Sequence, residues 1–300
     1  MPEAVRLSKH DWYRNASGRP VVIDSDADNE IDDHFAVAWA LAALPDLQAL
    51  HAAPFHNGRS IDAGTGMAQS AEQLRALTEA LDRPDIPVLD GSPGYLAEAP
   101  DPRPAAVDDL IERAAAGPVT VIAIGAITNL ALALRAEPAI AANLQVVWLG
   151  GQPTWSYDPA EFNLSSDPEA SRLVLESEVD LLLVPCRGVA ELLVTTLPEL
   201  ESALPDSPIG RHLQKAYREQ VAPTAGEGRA IWDMAAVACL LKPDAVQVAD
   251  EQLPALDAEA HWTEGPRGRT VPVVQWIDRT KVYVDFFARL QTANSVTARL

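Results

Sequence analysis

Short apolar, β-rich runs alternate along the chain with stretches whose apolar residues recur every three or four positions. The first kind of run predicts strands at 20–24, 47–53, 86–89, 119–125, 144–150 and 179–186. The second predicts amphipathic helices near 31–44, 64–82, 106–116, 128–136 and 167–177. Such alternation predicts an α/β fold, an open and mainly parallel sheet with helices on both faces. Asp167-Pro168-Glu169 is a strong helix start, an N-cap followed by proline at the first helical position. Beyond residue 187 the pattern turns helical, near 188–194, 198–220 and 229–242, so the C-terminal third carries extra helices. Two β-like runs, 271–277 and 281–287, close the chain, and the stretches at 90–105 and 263–269 read as loops. There is no low-complexity linker and no internal repeat, so residues 1–300 read as a single domain.

Composition narrows the class. At 300 residues and 48% hydrophobic content the chain can bury a large core. No apolar run is long enough to span a bilayer, and the N-terminal residues lack the charged-then-apolar pattern of a signal peptide, so no membrane partner is expected. A formal net charge of −20, with no basic stripe, argues against a nucleic acid polymer as partner. Cys186 and Cys239 both lie in apolar runs and read as reduced interior thiols, with the cytoplasm as the expected location.

The candidate chemistry sits where the first strand ends. VVIDSDADNEIDD brings Asp24, Asp26, Asp28, Glu30, Asp32 and Asp33 together at a strand exit and the following helix start. In open parallel sheets ligands bind beyond the carboxyl ends of the strands, which also gathers the segments after Ala53, Gly125, Gly150 and Cys186 into one cleft. An isolated acidic pair is most often a solvated helix cap; six acids at the exit of a buried strand favour a hard cation, which accepts many oxygen ligands. An EF-hand loop starting at Asp24 fails, because Asn29 and Phe35 stand where glycine and glutamate are required. Asp24-Ser25-Asp26 also fits the opening of a haloacid-dehalogenase-type phosphatase, but none of Lys9, Lys215, Lys242 and Lys281 follows a strand as that chemistry needs.

Taken with further motifs in the same order, the run resembles the nucleoside hydrolase family, the inosine-uridine-preferring N-ribohydrolases. Asp24-Ser25-Asp26 and Asp32-Asp33, followed by His34-Phe35-Ala36-Val37-Ala38, are similar to its opening motif. Five residues, Ala27 to Ile31, separate the two elements instead of the commoner three, as in a branch of the family with a longer turn. An ungapped register pairs Asp26 and Asp28 with Asp32-Asp33 instead; Asp26 is preferred because Asp24 ends the strand. Gly125-Ala126-Ile127-Thr128-Asn129 looks like the family's central turn, Phe55-His56-Asn57 its second strand end, and Trp232-Asp233 its late aspartate-bearing helix. Leu149-Gly150-Gly151, Ala160-Glu161-Phe162-Asn163 and Asp167-Pro168-Glu169-Ala170 are similar to its substrate loop and next helix.

The resemblance implies a Rossmann-like fold of the nucleoside hydrolase type and hydrolysis of the N-glycosidic bond of a ribonucleoside or related riboside. It implies Ca²⁺ held by Asp26, Asp33, the Thr128 carbonyl and Asp233, with Asp26 also the general base. Asp32, Asn57, Glu161 and Asn163 are implied to hold the ribose hydroxyls, and Trp232 to meet the base or to pack in the core. A homo-oligomer, dimer or tetramer, is implied as well. Many family members carry histidine where this chain has Trp232, which leaves the leaving-group acid open. His34 and His56 are candidates, each with a structural alternative; Trp155 reads as a base-stacking residue or a subunit contact, and Arg187 as a partner of a substrate group or of an acid. The alternative to an enzyme is a ribose-binding protein on the same scaffold that has lost hydrolysis.

Overall fold

The computed structural model describes residues 18–98, 103–156, 161–221 and 227–297. The N-terminal segment with Lys9 lies outside these residues, as does Ala160 of the substrate-loop motif.

The chain runs β1 (Val21–Ser25), α1 (Asp32–Ala43), β2 (Leu47–Ala52), α2 (Ala63–Ala80), β3 (Val88–Leu89), α3 (Ala105–Ala116), β4 (Val119–Ala123) and α4 (Thr128–Ala136). It continues through β5 (Leu144–Leu149), α5 (Phe162–Ser166), α6 (Pro168–Glu176), β6 (Asp180–Val184), β7 (Val194–Thr195), α7 (Leu197–Ala203) and α8 (Pro208–Gln220). It ends with β8 (Arg229–Ala230), α9 (Met234–Leu241), β9 (Val246–Leu256), β10 (Trp262–Ile277) and α10 (Arg279–Thr297).

Eight strands form one sheet in the order β3-β2-β1-β4-β5-β6-β10-β9, and β7 and β8 form a separate small ribbon. All neighbours in the large sheet are parallel except β10 and β9. The chain winds outward from β1 in one direction and from β4 in the other, so the strand order reverses between them; that switch point opens a crevice at their carboxyl ends. Alternate residues of β1 serve opposite layers. Val21 and Ile23 join a core with α1, α9 and α10, while Val22 joins one with α3, α4 and α6. Burial on both faces explains why the central strands read as unbroken apolar runs.

The expected α/β architecture is present, and the corrections fall in the C-terminal third. Residues 281–287 belong to helix α10, not to a strand. The β-branched and aromatic side chains there suggest a strand, but the buried set Val282, Tyr283, Phe286 and Leu290 follows helical spacing and Val284 is 66% exposed. Residues 263–269 lie in β10 instead of a loop, and β9 went unseen because its polar run Asp250-Glu251-Gln252 suits a sheet edge. The helix expected over 198–220 is two, α7 and α8, parted at Leu204–Ser207 where Pro205 and Pro208 remove backbone donors. The stretch 188–194 is a short 3₁₀ turn running into β7, and 229–242 begins as β8 before α9. Cys186 and Cys239 are free and buried. Among the described residues no helix is long and apolar enough to cross a membrane.

Helix α10 is fastened to α1, the helix that carries the acidic pair. Trp39 donates its indole N–H to Asp285 Oδ2 at 3.1 Å, and the Phe286 ring lies 6.0 Å from Phe35 and edge-on to Trp39 at 6.3 Å. Phe286 is fully buried. Phe286→Ala is therefore expected to destabilise the fold by about 3–5 kcal/mol, read as a lower midpoint in urea denaturation. A loss below about 1 kcal/mol would mean that α10 is not integral to the core.

Candidate active site

A cavity of about 460 Å³ opens at the switch point. The described residues lining it are Asp26, Asn29, Glu30, Asp32 and Asp33 from the first exit turn, Asn57 after β2, Ile124 after β4, Leu149 and Gln152 around the end of β5, Glu161, Phe162 and Asn163 at α5, Cys186 after β6, and Trp232 and Asp233 ahead of α9. Five strand ends and the starts of α1, α5 and α9 therefore meet at one place. Among these lining residues there is no lysine, arginine or histidine.

The first turn is shaped by what it buries. Ala27 and Ile31 are fully buried and anchor it from below, while the Asn29 N–H donates to the Asp26 carbonyl at 2.7 Å. Asp26 is thereby turned into the cavity and Asp28 away from it, where Asp28 meets Arg59 at 3.3 Å. Of the two registers the sequence leaves open, the structure puts Asp26 in the cavity. Ile31 precedes α1 without any side-chain cap, so Asp32 and Asp33 face inward from the first turn, near the positive end of the helix dipole. Gly125 lies so close that a Cβ there would stand 3.1 Å from the Asp26 backbone nitrogen and its carboxyl carbon.

One oxygen each from Asp32, Asp33 and Asp233 lies within 4.8 Å of the others, and all three residues are buried. Ser25 Oγ donates to Asp33 Oδ1 at 2.5 Å. Oδ2 of Asp26 is buried and has no hydrogen-bond partner. Burial, and then the neighbouring carboxylates, push Asp26, Asp33 and Asp233 well above the usual carboxylate range. Asp32 is pushed up to about 7, chiefly by burial and by Glu30, against the opposing pull of Arg229. An orphaned carboxylate oxygen beside three converging acids is the donor set of a hard divalent cation, and the residues present fit one.

The remaining expected residues fall into two groups. Asn57, Glu161, Asn163 and Trp232 line the cavity, but the first three are already committed to holding its walls. Asn57 donates to Asn29 Oδ1 at 2.5 Å and accepts from the Arg59 N–H at 2.8 Å. Glu161 accepts from the N–H groups of Gly151 at 2.7 Å and of Asn163 and Leu164 at 2.9 Å each, which caps α5 and fixes Gly151, whose φ is +75°. Asn163 Nδ2 donates to the Leu149 carbonyl at 3.0 Å.

Thr128 does not reach the lining. Its hydroxyl donates to Asp167 Oδ2 at 2.7 Å, and the residue of that exit turn that does line the cavity is Ile124. Asn129 beside it is a brace, donating to Asp24 Oδ1 at 3.0 Å and to the Ala52 carbonyl at 3.1 Å while accepting from the Ser92 N–H at 2.8 Å.

Neither candidate histidine lines the cavity. His34 is buried with Nε2 2.7 Å from the Ala27 carbonyl and Nδ1 3.3 Å from His212, and burial and His212 push it down to about 4. His56 is exposed. Trp155 and Arg187 line a separate small cleft with Glu251 and Gln275. Sequence reasoning gave Asn29, Ile124, Gln152 and Cys186 no role as lining residues; each lies beyond a strand end, and that position was the only signal available.

Comparison with known proteins follows the geometry. The profile of the inosine-uridine preferring nucleoside hydrolase family matches residues 21–297. The chain is 27% identical to the non-specific ribonucleoside hydrolase RihC of Escherichia fergusonii over 259 residues, covering 75% of this chain and 80% of that protein. A plant nucleoside hydrolase superposes with a TM-score of 0.70 at 24% identity, covering 91% of this chain and 98% of that one. The inosine-uridine preferring nucleoside hydrolase of Bacillus anthracis superposes with a TM-score of 0.69 at 20% identity, covering 92% and 99%.

The crowded carboxyls make stability depend on pH. Asp24, held by burial at about 6 despite His51 and Asn129, and Asp32, at about 7, keep protons in the folded chain that they release near 3.9 when unfolded. The folded state then binds more protons, so stability falls as pH rises from about 4 through 7, the reverse of a salt-bridged aspartate. Chelator-treated protein should melt at least about 5 °C higher at pH 5 than at pH 8 in scanning fluorimetry, and Ca²⁺ should recover the loss at pH 8. A flat profile without cation would mean that the carboxyls are satisfied by the protein alone.

Proposed function

The chain belongs to the inosine-uridine preferring nucleoside hydrolase family, a family of N-glycosyl hydrolases, and from that premise we propose that it is a Ca²⁺-dependent hydrolase of the N-glycosidic bond of a ribonucleoside or related riboside. The observation that carries this reading is the orphaned Oδ2 of Asp26 facing a cavity with Asp32, Asp33 and Asp233.

Asp26, Asp33 and Asp233 would hold the cation, with a backbone contribution from Ile124 in place of Thr128. When bound, the cation supplies an ordered, acidified water and neutralises the cluster. Asp26 would accept a proton from the attacking water as the C1′–N bond lengthens, an effect of about 10²–10⁴-fold. Asp32, Asn57 and Asn163 meet the ribose hydroxyls, and Glu161 holds the α5 start against them. Because these groups are tied to backbone and to one another, the sugar enters a wall that is already ordered, which lowers the entropic cost of reaching a flattened, oxocarbenium-like transition state. Trp232 supplies the aromatic face for the base.

The phosphatase alternative lacks a lysine among the described lining residues. We also read the protein as one catalytic domain, acting in the cytoplasm on small molecules as a dimer or tetramer; light scattering after gel filtration tests the assembly.

A nucleoside panel with product analysis tests the function. Free ribose and base are expected, and a chelator should abolish their release. Asp26→Asn is expected to lower kcat by about 10²–10⁴-fold with little change in KM, while Asp233→Ala should abolish the Ca²⁺-induced rise in Tm. Ca²⁺ binding without release of ribose from any member of the panel would instead identify a ribose-binding protein, and Ca²⁺ affinity unchanged in both Asp26→Ala and Asp233→Ala would overturn the cation site.

A further inference from the structure

A second cavity, of about 220 Å³, lies on the far side of the turn that follows β1. It is bounded by that turn, the start of α1, the loop after β2, and helices α2 and α8. Its lining includes Asp28, His34, Arg59, His212, Lys215 and Glu219, none of which lines the switch-point cavity. His212, Lys215 and Glu219 recur at helical spacing and share one face of α8. The described charges are matched, Arg59 by Asp28 and Lys215 by Glu219, so no net charge selects an anion here.

What distinguishes this cavity is its pair of imidazoles. His34 is 4% exposed, and its Nε2 lies 2.7 Å from the Ala27 carbonyl oxygen. A carbonyl can only accept, so Nε2 carries the hydrogen and Nδ1 of the neutral ring keeps a bare lone pair. That Nδ1 stands 3.3 Å from Nε2 of His212, with the two rings tilted by 40°. A histidine whose far nitrogen is tied to a backbone carbonyl is the arrangement by which proteins aim a metal ligand. Two nitrogens bonded at about 2.0–2.1 Å to one tetrahedral dication stand about 3.3–3.4 Å apart, which is the spacing of this pair. Asp28 and Glu219 line the same cavity and can supply a further ligand. Glu219 is held only by Lys215, at 3.8 Å between two well-exposed side chains, so its release costs little.

We propose that this cavity binds one imidazole-preferring divalent transition-metal ion, with Zn²⁺ as the type. His34 Nδ1 and His212 Nε2 are the nitrogen ligands, and Asp28 or Glu219 with water completes the shell. Without the ion, His212 Nε2 donates its hydrogen to His34 Nδ1; with it, the neutral His212 ring binds as the tautomer protonated at Nδ1, so no net proton is released. Both lone pairs then meet the metal. Ca²⁺ prefers oxygen donors such as the acidic cluster at the switch point, so the two places sort ions by donor chemistry. The ion would tie the start of α1 to α8. This inference is independent of the N-ribohydrolase reading, because its ligands stand outside that cavity.

The test titrates Zn²⁺ into the full chain by calorimetry with Ca²⁺ in excess, so that oxygen-rich sites are occupied. One equivalent of Zn²⁺ is expected to bind, with a rise in Tm beyond that given by Ca²⁺. His212→Ala and His34→Gln are each expected to weaken Zn²⁺ binding at least about tenfold. Asp233→Ala, which dismantles the acidic cluster, should leave Zn²⁺ affinity unchanged. Co²⁺ as a spectroscopic probe should give the intense visible bands of a tetrahedral nitrogen-and-oxygen site, lost in His212→Ala. Three outcomes would overturn the proposal and leave the histidines a hydrogen-bonded pair: no Zn²⁺ uptake in the presence of Ca²⁺, unchanged affinity in folded His212→Ala, or affinity lost in folded Asp233→Ala. A sulfur-to-Co²⁺ charge-transfer band, placing the ion on Cys186 or Cys239, would overturn it too. His212 is half-exposed on α8, so its variant decides the matter where that of the buried His34 fails to fold.

Discussion

Four aspartates buried around one point cannot all be charged unless something positive stands among them, and most of the described architecture follows from accommodating that. In a low-dielectric cavity each added carboxylate raises the cost of ionising the next, which is why Asp26, Asp33 and Asp233 lie so far above the ordinary range. The protein keeps the acids close in spite of this by fixing their backbones. Asp26 is turned inward by the anchored turn, Asp32 and Asp33 by the first turn of α1, and Asp233 by the entry to α9. On the proposed reading a cation relieves that repulsion, and the same frame presents the side chains that would meet the ribose without further ordering.

The supporting layer explains side chains whose purpose was not evident in isolation. Asp24, at the end of β1, does not enter the cavity lining; it receives Asn129 from α4 and lies near His51, which in turn meets Asp109 at 2.9 Å. Asp167 accepts from Thr128, from the Leu96 N–H and from the Ala170 N–H, joining α4, α6 and the loop before α3. Both aspartates act at one remove, holding the strand exits in register so that the lining groups converge.

Much of the sheet and the core of the site were legible because their signals are local. A fully buried parallel strand reads as an apolar run, and an acid at its exit reads as a ligand candidate, so β1, β4, β5 and the segment Asp24 to Asp33 could be placed from sequence. Asp167 as a helix cap was legible for the same reason. What failed depended on tertiary context. The run 281–287 has strand composition and helical burial; β9 is polar because it edges the sheet; Thr128 and Ile124 differ only in which way the exit turn rolls after β4. No spacing rule distinguishes a residue that lines the cavity from one four residues later. The walls were equally hidden, since Glu161 looks like a free carboxylate until its three backbone donors are seen.

The five-residue turn from Ala27 to Ile31 does more than link two acidic motifs. Its Asp28 faces outward to Arg59, in the loop that carries Asn57, while Glu30 pairs with Arg229 of β8, the ribbon strand that leads directly into Trp232 and Asp233. Asn29 between them receives the Asn57 amide. The turn therefore ties the acidic cluster both to the loop that carries Asn57 and to the ribbon ahead of Trp232 through side chains that a three-residue turn would have no room to offer. Glu30 has a double consequence: it adds a carboxylate to the wall and it pairs with Arg229, which does not line the cavity. Charge beside Trp232 is thus set by the length of the turn as much as by the residues ahead of α9, and a change in either would be felt by the other through Arg229 and the short ribbon it anchors.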